Sequence, residues 1–394
     1  MRKMLRKVLP QKIYDILKDA AKGNYSYFFW LFPIKRNKIV ISSFHGKGYG
    51  DNGKYIVEEI LRQKLQYDIV WLLKKELVGK VEIPSTIRIV EYGSLKSLYE
   101  LATAKVWIDN CRKSFYPPKR KTQYYIQTWH SPLRLKKIEK DAENNLSKSY
   151  LRMAKKDAKN CDLMIAGSDF SWNIYRNSFW YEGEILKCGT PRCDLFFQEN
   201  PSYKKKVYES FGILPDKKLI IFAPTFRNKS TVAPYLLDYT EVIRAVQEKF
   251  SGEWKFLIRL HPSISHLSLP IKYDDTIINA TNYEDMQELL YAADILITDY
   301  SSCMFDMAIA QKICFIHAPD VELYLDKERQ LYFDFKELPF SFSKTNEQLV
   351  NNILNFDPEL YKRNLKRFME KIKLYETGTA SQQVVKRIKE VINK

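Results

Sequence analysis

Short apolar runs alternate with longer amphipathic segments along the chain from Lys38 onward. Runs such as 39–42 are bounded by polar residues, which is typical of buried strands, whereas segments such as 54–65 repeat apolar residues at helical spacing. This alternation predicts an α/β fold with mostly parallel sheets covered on both faces. The predicted strands are 39–42, 69–72, 87–90, 106–108, 124–127 and 163–166 in a first series, and 219–222, 255–259, 277–278, 295–298 and 313–316 in a second.

A break near residues 189–203 separates the two series of predicted strands. Pro191 and Pro201 lie in this break, and proline interrupts both helices and central strands. We therefore predict two successive α/β domains. Their boundaries are 38–200 for the first and 201–375 for the second, with a C-terminal helix at 376–394.

Residues 1–37 form a separate feature that precedes the first predicted strand. Leu, Val and Ile recur at helical spacing among Lys and Arg in 1–17, and an aromatic cluster follows at 25–32. A basic amphipathic segment beside Trp, Tyr and Phe is suited to the interface of an anionic membrane. The same aromatic side chains would also suit packing onto the domain that follows, so both interpretations stay open.

The chain has a large excess of positive charge. Its 394 residues include 64 Lys and Arg against 47 Asp and Glu, which gives a formal net charge of +17. An excess of this size indicates an anionic partner. The sequence contains no zinc-finger spacing, RNP-like strand or long basic tract, so we predict no nucleic-acid partner and favour a lipid surface or a phosphorylated substrate.

The cysteines and the apolar runs indicate a reduced compartment and no membrane span. The six cysteines are scattered, and none forms a Cys-x-x-Cys pair, which predicts reduced thiols, a cytosolic protein and no metal site. No apolar run reaches the roughly 18 residues that a spanning helix needs. Any contact with a membrane is therefore predicted to be peripheral.

One polar cluster follows the predicted strand 124–127 of the first series. Because the carboxyl ends of parallel strands form one edge of an open sheet, ligands are expected at such a position. His130 lies there, with Arg134, Lys136 and Lys137 downstream. A histidine with a near-neutral pKa can accept a proton from a hydroxyl group. A structural or simply exposed histidine is the alternative interpretation.

Three strands of the second series are followed by residue types that bind anions. Arginine matches phosphate with a planar fork of donors, and a serine-capped helix start offers free N–H groups. Each arginine alone could equally form a surface salt bridge, but their convergence on one sheet edge predicts a diphosphate site. The residues are Thr225 and Arg227 after the first of these strands, Arg259 and His261 after the second, and Asp299, Ser301 and Ser302 after the third, with Asp306 one turn into the next helix.

The segment 48–55 fits the spacing of a nucleotide-phosphate loop as far as Lys54. The next position of such a loop supplies a hydroxyl group to Mg²⁺, and here it is Tyr55, so the match fails where the chemistry requires it. We interpret 44–54 as a glycine-rich loop that faces the cleft between the domains.

Five motifs follow one another in a fixed order along residues 38–375: Gln127–His130, Phe179–Tyr181 with Gly189–Arg192 and Asp194, Ala223–Arg227, Arg259–Pro262, and Thr298–Ser302 with Asp306. This ordered set resembles the CDP-glycerol glycerophosphotransferases, which build teichoic acids and related capsular polymers in bacteria. The resemblance implies a GT-B arrangement, in which two Rossmann-like domains face each other across a cleft and the second binds most of the nucleotide. It also implies a peripheral position on the cytoplasmic face of the cell membrane.

The resemblance implies a role for each motif residue. His130 would be the general base that deprotonates an acceptor hydroxyl, and His261 would be the second catalytic histidine. Asp306 would contact the ribose or orient its neighbours. Because cationic residues can stabilise the departing CMP, no metal or other cofactor is implied. The residues that would hold the diphosphate of a CDP-glycerol or CDP-ribitol donor are Arg227, Arg259, His261, Ser301 and Ser302, with Thr225 and Asp299 in the same motifs.

One motif departs from the family. Ser131 and Pro132 follow His130 directly, where the family often has Gly-Thr-Pro or a similar sequence. The acceptor pocket is therefore expected to differ in shape. The basic run 134–137 would hold a phosphorylated acceptor or lipid headgroups.

Three functions are compatible with these features. The leading hypothesis is transfer of glycerol phosphate, or a related alditol phosphate, from a CDP-activated donor to a hydroxyl of a lipid-linked glycan or growing polymer. The alternatives are a sugar-nucleotide GT-B glycosyltransferase and a non-catalytic protein that binds polyanions or a membrane surface. The sequence favours neither glycerol nor ribitol and leaves the oligomeric state open.

Overall fold

The computed structural model of the chain describes residues 28–227, 233–261, 269–327 and 330–394. Most of the predicted amphipathic segment at 1–37 therefore lies outside the described residues. Within the described ranges the chain forms two parallel β-sheets flanked by helices, which confirms the predicted α/β class and the GT-B-like arrangement.

The first half of the chain forms a seven-stranded sheet. Its strands are β1 (Lys35–Ser42), β2 (Asp68–Leu73), β3 (Arg88–Glu91), β4 (Ala104–Asp109), β5 (Tyr124–Gln127), β6 (Leu163–Ala166) and β7 (Glu184–Lys187). They pair in parallel in the order β3-β2-β1-β4-β5-β6-β7. The helices of this half are α1 (Asp51–Arg62), α2 (Leu95–Thr103), α3 (Lys148–Asn160) and α4 (Asp169–Ser178).

The second half forms a six-stranded sheet. Its strands are β8 (Lys218–Ala223), β9 (Trp254–Ile258), β10 (Ile277–Asn279), β11 (Ile295–Thr298), β12 (Ile313–His317) and β13 (Ser341–Ser343). They pair in parallel in the order β10-β9-β8-β11-β12-β13. The helices are α5 (Pro201–Ser210), α6 (Tyr239–Phe250), α7 (Met286–Ala292), α8 (Cys303–Ile309), α9 (Val321–Lys327), α10 (Asn346–Leu354), α11 (Pro358–Ile372) and α12 (Ala380–Asn393).

The apolar strand runs are buried on both faces of each sheet. Successive side chains of a strand point to opposite faces, so each central strand contributes to two cores. Ile39 and Ile41 of β1 pack in one core, whereas Val40 packs in the other with Trp107 and Tyr125. This two-sided burial explains why the strands appear as continuous apolar runs.

The last helix, α12, returns to the first half. Val384, Val385 and Ile388 pack in the core that contains Ile39 and Ile41. The start of α12 is fixed by a carboxylate, because Asp194 accepts hydrogen bonds from the backbone N–H groups of residues 380 and 381 at 3.0 and 2.7 Å. The chain therefore crosses between the halves twice, once before α5 and once before α12.

The glycine-rich loop and α1 contact the second half directly. Lys54 forms buried ion pairs with Asp285 and Glu288, each at 2.6 Å. The backbone N–H of Tyr49 donates to the side chain of Glu284 at 3.2 Å. The lysine of the failed phosphate-loop match is thus a structural contact between the halves.

The aromatic cluster before β1 is described from residue 28 onward. Phe29 and Phe32 contact the ring of Tyr99 edge-on, with centroids 6.0 and 5.2 Å away. Phe28 and Leu31 are 61% and 77% exposed. Part of the cluster therefore packs on the first half, and part of it faces solvent. None of the helices in the described ranges has the length and apolar character that a membrane crossing requires.

Candidate active site

His130 lies just beyond the carboxyl end of β5. Its ring stacks on Trp129 with centroids 4.6 Å apart, and its Nδ1 lies 2.7 Å from the backbone carbonyl oxygen of Asn110. A carbonyl oxygen only accepts hydrogen bonds, so Nδ1 holds the proton and donates it. Nε2 is then left as the unprotonated nitrogen that can accept a proton from a substrate.

The Gln-Thr-Trp-His motif builds the turn that presents this histidine. Trp129 has a φ of +53°, a strained conformation for a bulky residue. Its backbone N–H donates to Gln127 Oε1 and its carbonyl oxygen accepts from Asn52 Nδ2, both at 2.9 Å. Side-chain hydrogen bonds thus hold the strained turn and fix the direction of the imidazole.

The environment keeps His130 neutral. Burial lowers its pKa from 6.5, and the positive charges of Arg192 and Arg134 lower it further. The hydrogen bond to the Asn110 carbonyl and the negative charge of Asp51 oppose this shift without cancelling it. A neutral imidazole is the form that a general base requires.

The acid limb of kcat/KM is expected to have its midpoint below 6.5, the ordinary histidine pKa. The base works only when it is neutral, and a lowered pKa keeps it neutral until the pH falls further. The measurement is kcat/KM across the acidic and neutral range, with donor affinity measured over the same range to separate protonation of the donor site. An acid limb centred at or above that pKa would contradict a buried neutral base.

At the facing edge of the second sheet, Asp299 organises a polar network after β11. Its carboxylate accepts from the backbone N–H and the hydroxyl of Thr225 at 2.8 and 2.5 Å and from Arg227 at 2.8 Å. Asp320, which follows β12, binds the other side of Arg227 at 2.8 and 3.0 Å and accepts from the Tyr300 hydroxyl at 3.0 Å. The structure thus brings three of the predicted site residues into direct contact.

The positive charge of Arg227 is balanced by the two carboxylates of this network. Although burial acts to lower its pKa, the bonds to Asp320 and Asp299 raise that pKa overall, so the guanidinium stays charged. Its carbon Cζ lies 4.8 and 5.1 Å from the ring centroids of Tyr300 and Tyr324, which stack 3.7 Å apart. Arg227 therefore shapes the pocket with two carboxylates and two rings, and its role as a phosphate ligand stays a prediction.

Arg259 differs from Arg227 because its partners are uncharged. It donates to the carbonyl oxygens of Tyr283 and Glu284, and within the described ranges it pairs with no carboxylate. Partial burial lowers the pKa of the neighbouring His261, and the charges of Lys47, Lys136 and Arg259 lower it further. The positive charges of Lys47, Lys136 and Arg259 therefore meet near the imidazole of His261.

The start of α8 adds hydroxyl groups to this edge. Ser301 and Ser302 are both half-buried, and the Ser301 hydroxyl lies 3.4 Å from the backbone N–H of Cys303. Ser302 occupies the position before the helix, but its side chain makes no capping hydrogen bond. The predicted serine cap is therefore weak, and the Ser302 hydroxyl is not used to close the helix.

Arg192 joins the two edges. Its guanidinium donates to the backbone carbonyl oxygen of His130 at 2.7 Å, to Asp51 at 2.6 Å and to Asp306 at 3.1 and 2.7 Å. The loop of the histidine and helix α8 are therefore adjacent. Asp306 is fully buried in this contact, which favours orienting its neighbours over contacting ribose.

The Gly-Thr-Pro run that precedes Arg192 forms a second contact, with the segment that leads into α12. Gly189 has a φ of +91°, and a Cβ added there would lie 2.7 Å from Oε2 of Glu376. Thr190 donates to that carboxyl group from its N–H and its hydroxyl at 2.9 and 2.7 Å, and burial raises the pKa of Glu376 to about 8. The two crossings of the chain between the halves are bonded to each other at this point.

Sequence reasoning missed three residues of this region as site residues. The sequence indicates Arg192 only as part of a motif that carries the resemblance. Asp51 lies within the glycine-rich segment 44–54, as the first residue of α1, and Asp320 lies beyond the carboxyl end of β12. Examining the end of every predicted strand for charged residues, the rule that found Asp299, would also have found Asp320.

The three residues predicted on the acceptor side lie in different environments. Arg134 is buried in the first half, where it donates to the Tyr175 hydroxyl at 2.7 Å. Lys137 donates to the side chain of Gln330 at 3.0 Å, and Lys136 Nζ lies 5.7 Å from the ring centroid of Tyr324. Both lysines therefore face the second half.

The arrangement places an oriented neutral imidazole on one side of the cleft and cations with hydroxyl groups on the other. It can therefore deprotonate a hydroxyl group and hold an anion beside it. The part of the chain that the structure describes contains no group of three or more His, Cys, Asp or Glu that could hold a metal ion.

Comparisons with known proteins agree with this chemistry. The model of the CDP-glycerol:poly(glycerophosphate) glycerophosphotransferase family matches residues 24–390. The chain is 32% identical over 376 residues to the teichoic acid glycerol-phosphate primase of Bacillus subtilis, covering 92% of this chain and 94% of the relative. It is 27% identical over 383 residues to the teichoic acid ribitol-phosphate primase of Bacillus spizizenii, covering 94% and 95%.

A solved structure is similar over nearly the whole fold. It is the wall teichoic acid polymerase TagF, in a histidine variant soaked with CDPG, with a TM-score of 0.83 and 27% identity. The similarity covers 97% of each chain.

Proposed function

The chain belongs to the CDP-glycerol:poly(glycerophosphate) glycerophosphotransferase family, and from this premise we propose how its cleft transfers an alditol phosphate. The donor is a CDP-alditol, and the acceptor is a hydroxyl group of a lipid-linked glycan or growing teichoic-acid chain. The observation that supports this most directly is the neutral His130, which is held through Nδ1 and whose loop is connected to α8 by Arg192. From this position the imidazole would reach an acceptor hydroxyl beside a bound donor diphosphate.

The reaction is a single displacement at phosphorus. His130 Nε2 takes the proton of the acceptor hydroxyl as its oxygen attacks the distal phosphorus of the donor. The bond between that phosphorus and the bridging oxygen breaks, and the electron pair leaves with CMP. Arg259, His261 and the hydroxyl groups before α8 would stabilise the charge that develops on the departing phosphate, so we propose that no metal is required.

The experiment that tests this function is a transfer assay in EDTA with CDP-glycerol, CDP-ribitol and UDP-glucose as donors and a glycerol-phosphate-primed lipid acceptor. We expect CMP release from a CDP-alditol, together with loss of donor binding in Arg259→Ala. The CDP-alditol from which CMP is released faster is then identified as the donor. Turnover of UDP-glucose would favour a sugar-nucleotide glycosyltransferase, and absence of nucleotide binding would favour a non-catalytic surface-binding protein.

We further propose that the enzyme docks on an anionic membrane from the cytoplasmic side through the exposed part of the aromatic cluster. Phe28 and Leu31 face solvent, and Arg120 donates to the carbonyl oxygens of Trp30 and Phe32 at 3.3 and 2.9 Å, so the basic side chain holds the cluster in place. Exposed apolar side chains beside basic residues are suited to the headgroup boundary.

The double substitution Phe28→Ser/Leu31→Ser is expected to lower binding to phosphatidylglycerol vesicles by about a hundredfold or more, since each large apolar side chain contributes about 1.5–3 kcal/mol when it is fully buried. Vesicle co-sedimentation measures the change. Leu214→Ser is the matched control, because this leucine is 61% exposed in the second half. Equal binding of the double variant and the control would exclude this cluster as the docking surface.

A further inference from the structure

We infer that two lysines of the first half, Lys47 and Lys136, reach the donor site of the second half and bind the distal phosphate of the donor. This inference rests on the proposed function and identifies which cations of the acceptor-side half contact the phosphoryl group that is transferred. Lys136, predicted on the acceptor side from its place in the sequence, then belongs to the donor.

Lys136 is held against the second half by its backbone. It forms an antiparallel bridge with Leu331, the N–H of Lys137 donates to the Gln330 carbonyl at 2.8 Å, and the N–H of Tyr332 donates to the Leu135 carbonyl at 2.7 Å. Leu133 and Leu135, which precede Lys136 in the chain, are both buried and belong to a core of the second half. The segment that follows His130 is therefore bound to the second half, on the other side of the cleft.

The side chain of Lys136 lies beside the polar network at the end of β11. Its Nζ is 5.7 Å from the ring centroid of Tyr324. That ring stacks on Tyr300, and the guanidinium of Arg227 lies over both rings. Lys136 thus shares its surroundings with the residues predicted to bind the diphosphate.

Lys47 lies in the middle of the glycine-rich loop, which spans the cleft. On one side of it, the ring of Phe44 lies 5.5 Å from the ring of His130. On the other side, the N–H of Tyr49 donates to Glu284, whose backbone carbonyl also accepts from Arg259. The loop therefore extends from the imidazole to the anchoring point of Arg259, and Lys47 is exposed between them.

Several positive charges meet in this region. Both lysines act with Arg259 on the same imidazole, that of His261, where each disfavours the protonated form. In the ranges that the structure covers, neither Lys47 nor Arg259 forms an ion pair with a carboxylate. Like charges close together repel, and a bound anion offsets that repulsion. A diphosphate, with at least two negative charges, is the complementary ligand that the proposed function supplies.

The location of these lysines has a consequence for the reaction. Lys136 lies six residues after the proposed base in the sequence, and Lys47 lies on the loop that contacts its ring. The segments that orient the acceptor would thus also hold the phosphoryl group under attack. Such a shared attachment fixes the distance between the nucleophile and phosphorus.

The test compares CDP and CMP binding by isothermal titration for Lys47→Met, Lys136→Met and the control Lys249→Met. Lys249 is an exposed lysine at the end of α6, next to the amino end of β9 and so at the edge opposite the site. We expect each cleft variant to weaken CDP binding by about tenfold or more, because a charge-assisted contact to phosphate is lost. CMP, which lacks the distal phosphate, is expected to bind nearly as well as before.

The outcomes separate this inference from the function on which it rests. Lysine variants that bind CDP like the control, or that lose CDP and CMP equally, would overturn a contact with the distal phosphate. If the wild-type enzyme bound no CDP-alditol, the proposed function itself would fail. Lys136→Arg keeps the charge, so we expect it to recover part of the CDP affinity, whereas a folding defect at this position would persist.

Discussion

Replacing His130 by asparagine is expected to lower kcat by about 10²–10⁴-fold while leaving CDP-donor affinity nearly unchanged. Asparagine is close in size to the imidazole and can still donate to the carbonyl of Asn110, but it cannot take a proton from a hydroxyl group. The donor would still meet its cations and hydroxyl groups on the second sheet. The measurement is steady-state CMP release together with titration of CDP-glycerol and CDP-ribitol.

A second histidine of the same half offers the control. His45 has a φ of +59°, a conformation that asparagine adopts readily, and its Nδ1 contacts the Tyr92 hydroxyl at 3.3 Å. His45→Asn is therefore expected to retain near-wild-type kcat. Wild-type turnover by His130→Asn would show that another group removes the proton. Equal losses of donor binding and turnover would instead indicate a structural histidine.

The positions of these strands could be predicted from the sequence because each is a continuous apolar run. β5, β6 and β11 begin and end where the pattern places them, at 124–127, 163–166 and 295–298. Two edge strands were not predicted, β7 and β13. Only Ile185 of β7 is buried, and β13 reads Ser-Phe-Ser, so neither has the apolar run that identifies a central strand.

The location of the site can also be predicted from the sequence, because parallel strands place their carboxyl ends at one edge. The sequence does not predict which charged groups pair with each other at that edge. Arg192 pairs with Asp51 and Asp306, which are 141 and 114 positions away in the chain. Such contacts depend on how two domains pack against each other, and no local periodicity records that packing.

For the same reason, the contacts of two lysines could not be predicted from the sequence. Lys54 fits a phosphate-loop spacing in sequence, yet it pairs with Asp285 and Glu288 across the domain boundary. Lys136 follows the proposed base closely in sequence, yet its chain segment pairs with residue 331 of the other half. In both cases the contact that decides the role comes from a part of the chain more than a hundred residues away.

Replacing Arg192 by methionine is expected to lower the free energy of unfolding by about 3–5 kcal/mol, because it leaves two buried carboxylates without their shared cation. Asp51 and Asp306 side chains are 3% and 0% exposed, so water cannot replace the guanidinium without rearrangement. The substitution also removes the hydrogen bond to the His130 carbonyl, so kcat is expected to fall more than donor affinity. Denaturant unfolding and steady-state kinetics measure the two effects.

The matched control is Arg62→Met. Arg62 also binds a carboxylate at 2.7 Å, that of Glu59, but its side chain is 64% exposed on α1. The guanidinium of this pair is largely hydrated, and Gln63 still donates to the Glu59 carboxylate at 2.7 Å when Arg62 is removed, so this variant is expected to unfold and turn over like the wild type. Arg192→Lys keeps a positive charge but lacks the planar fork of donors with which arginine binds both carboxylates and the His130 carbonyl. We therefore expect this variant to recover stability more than kcat. If Arg192→Met were as stable and active as Arg62→Met, the guanidinium would not be the group that holds the base against the donor half.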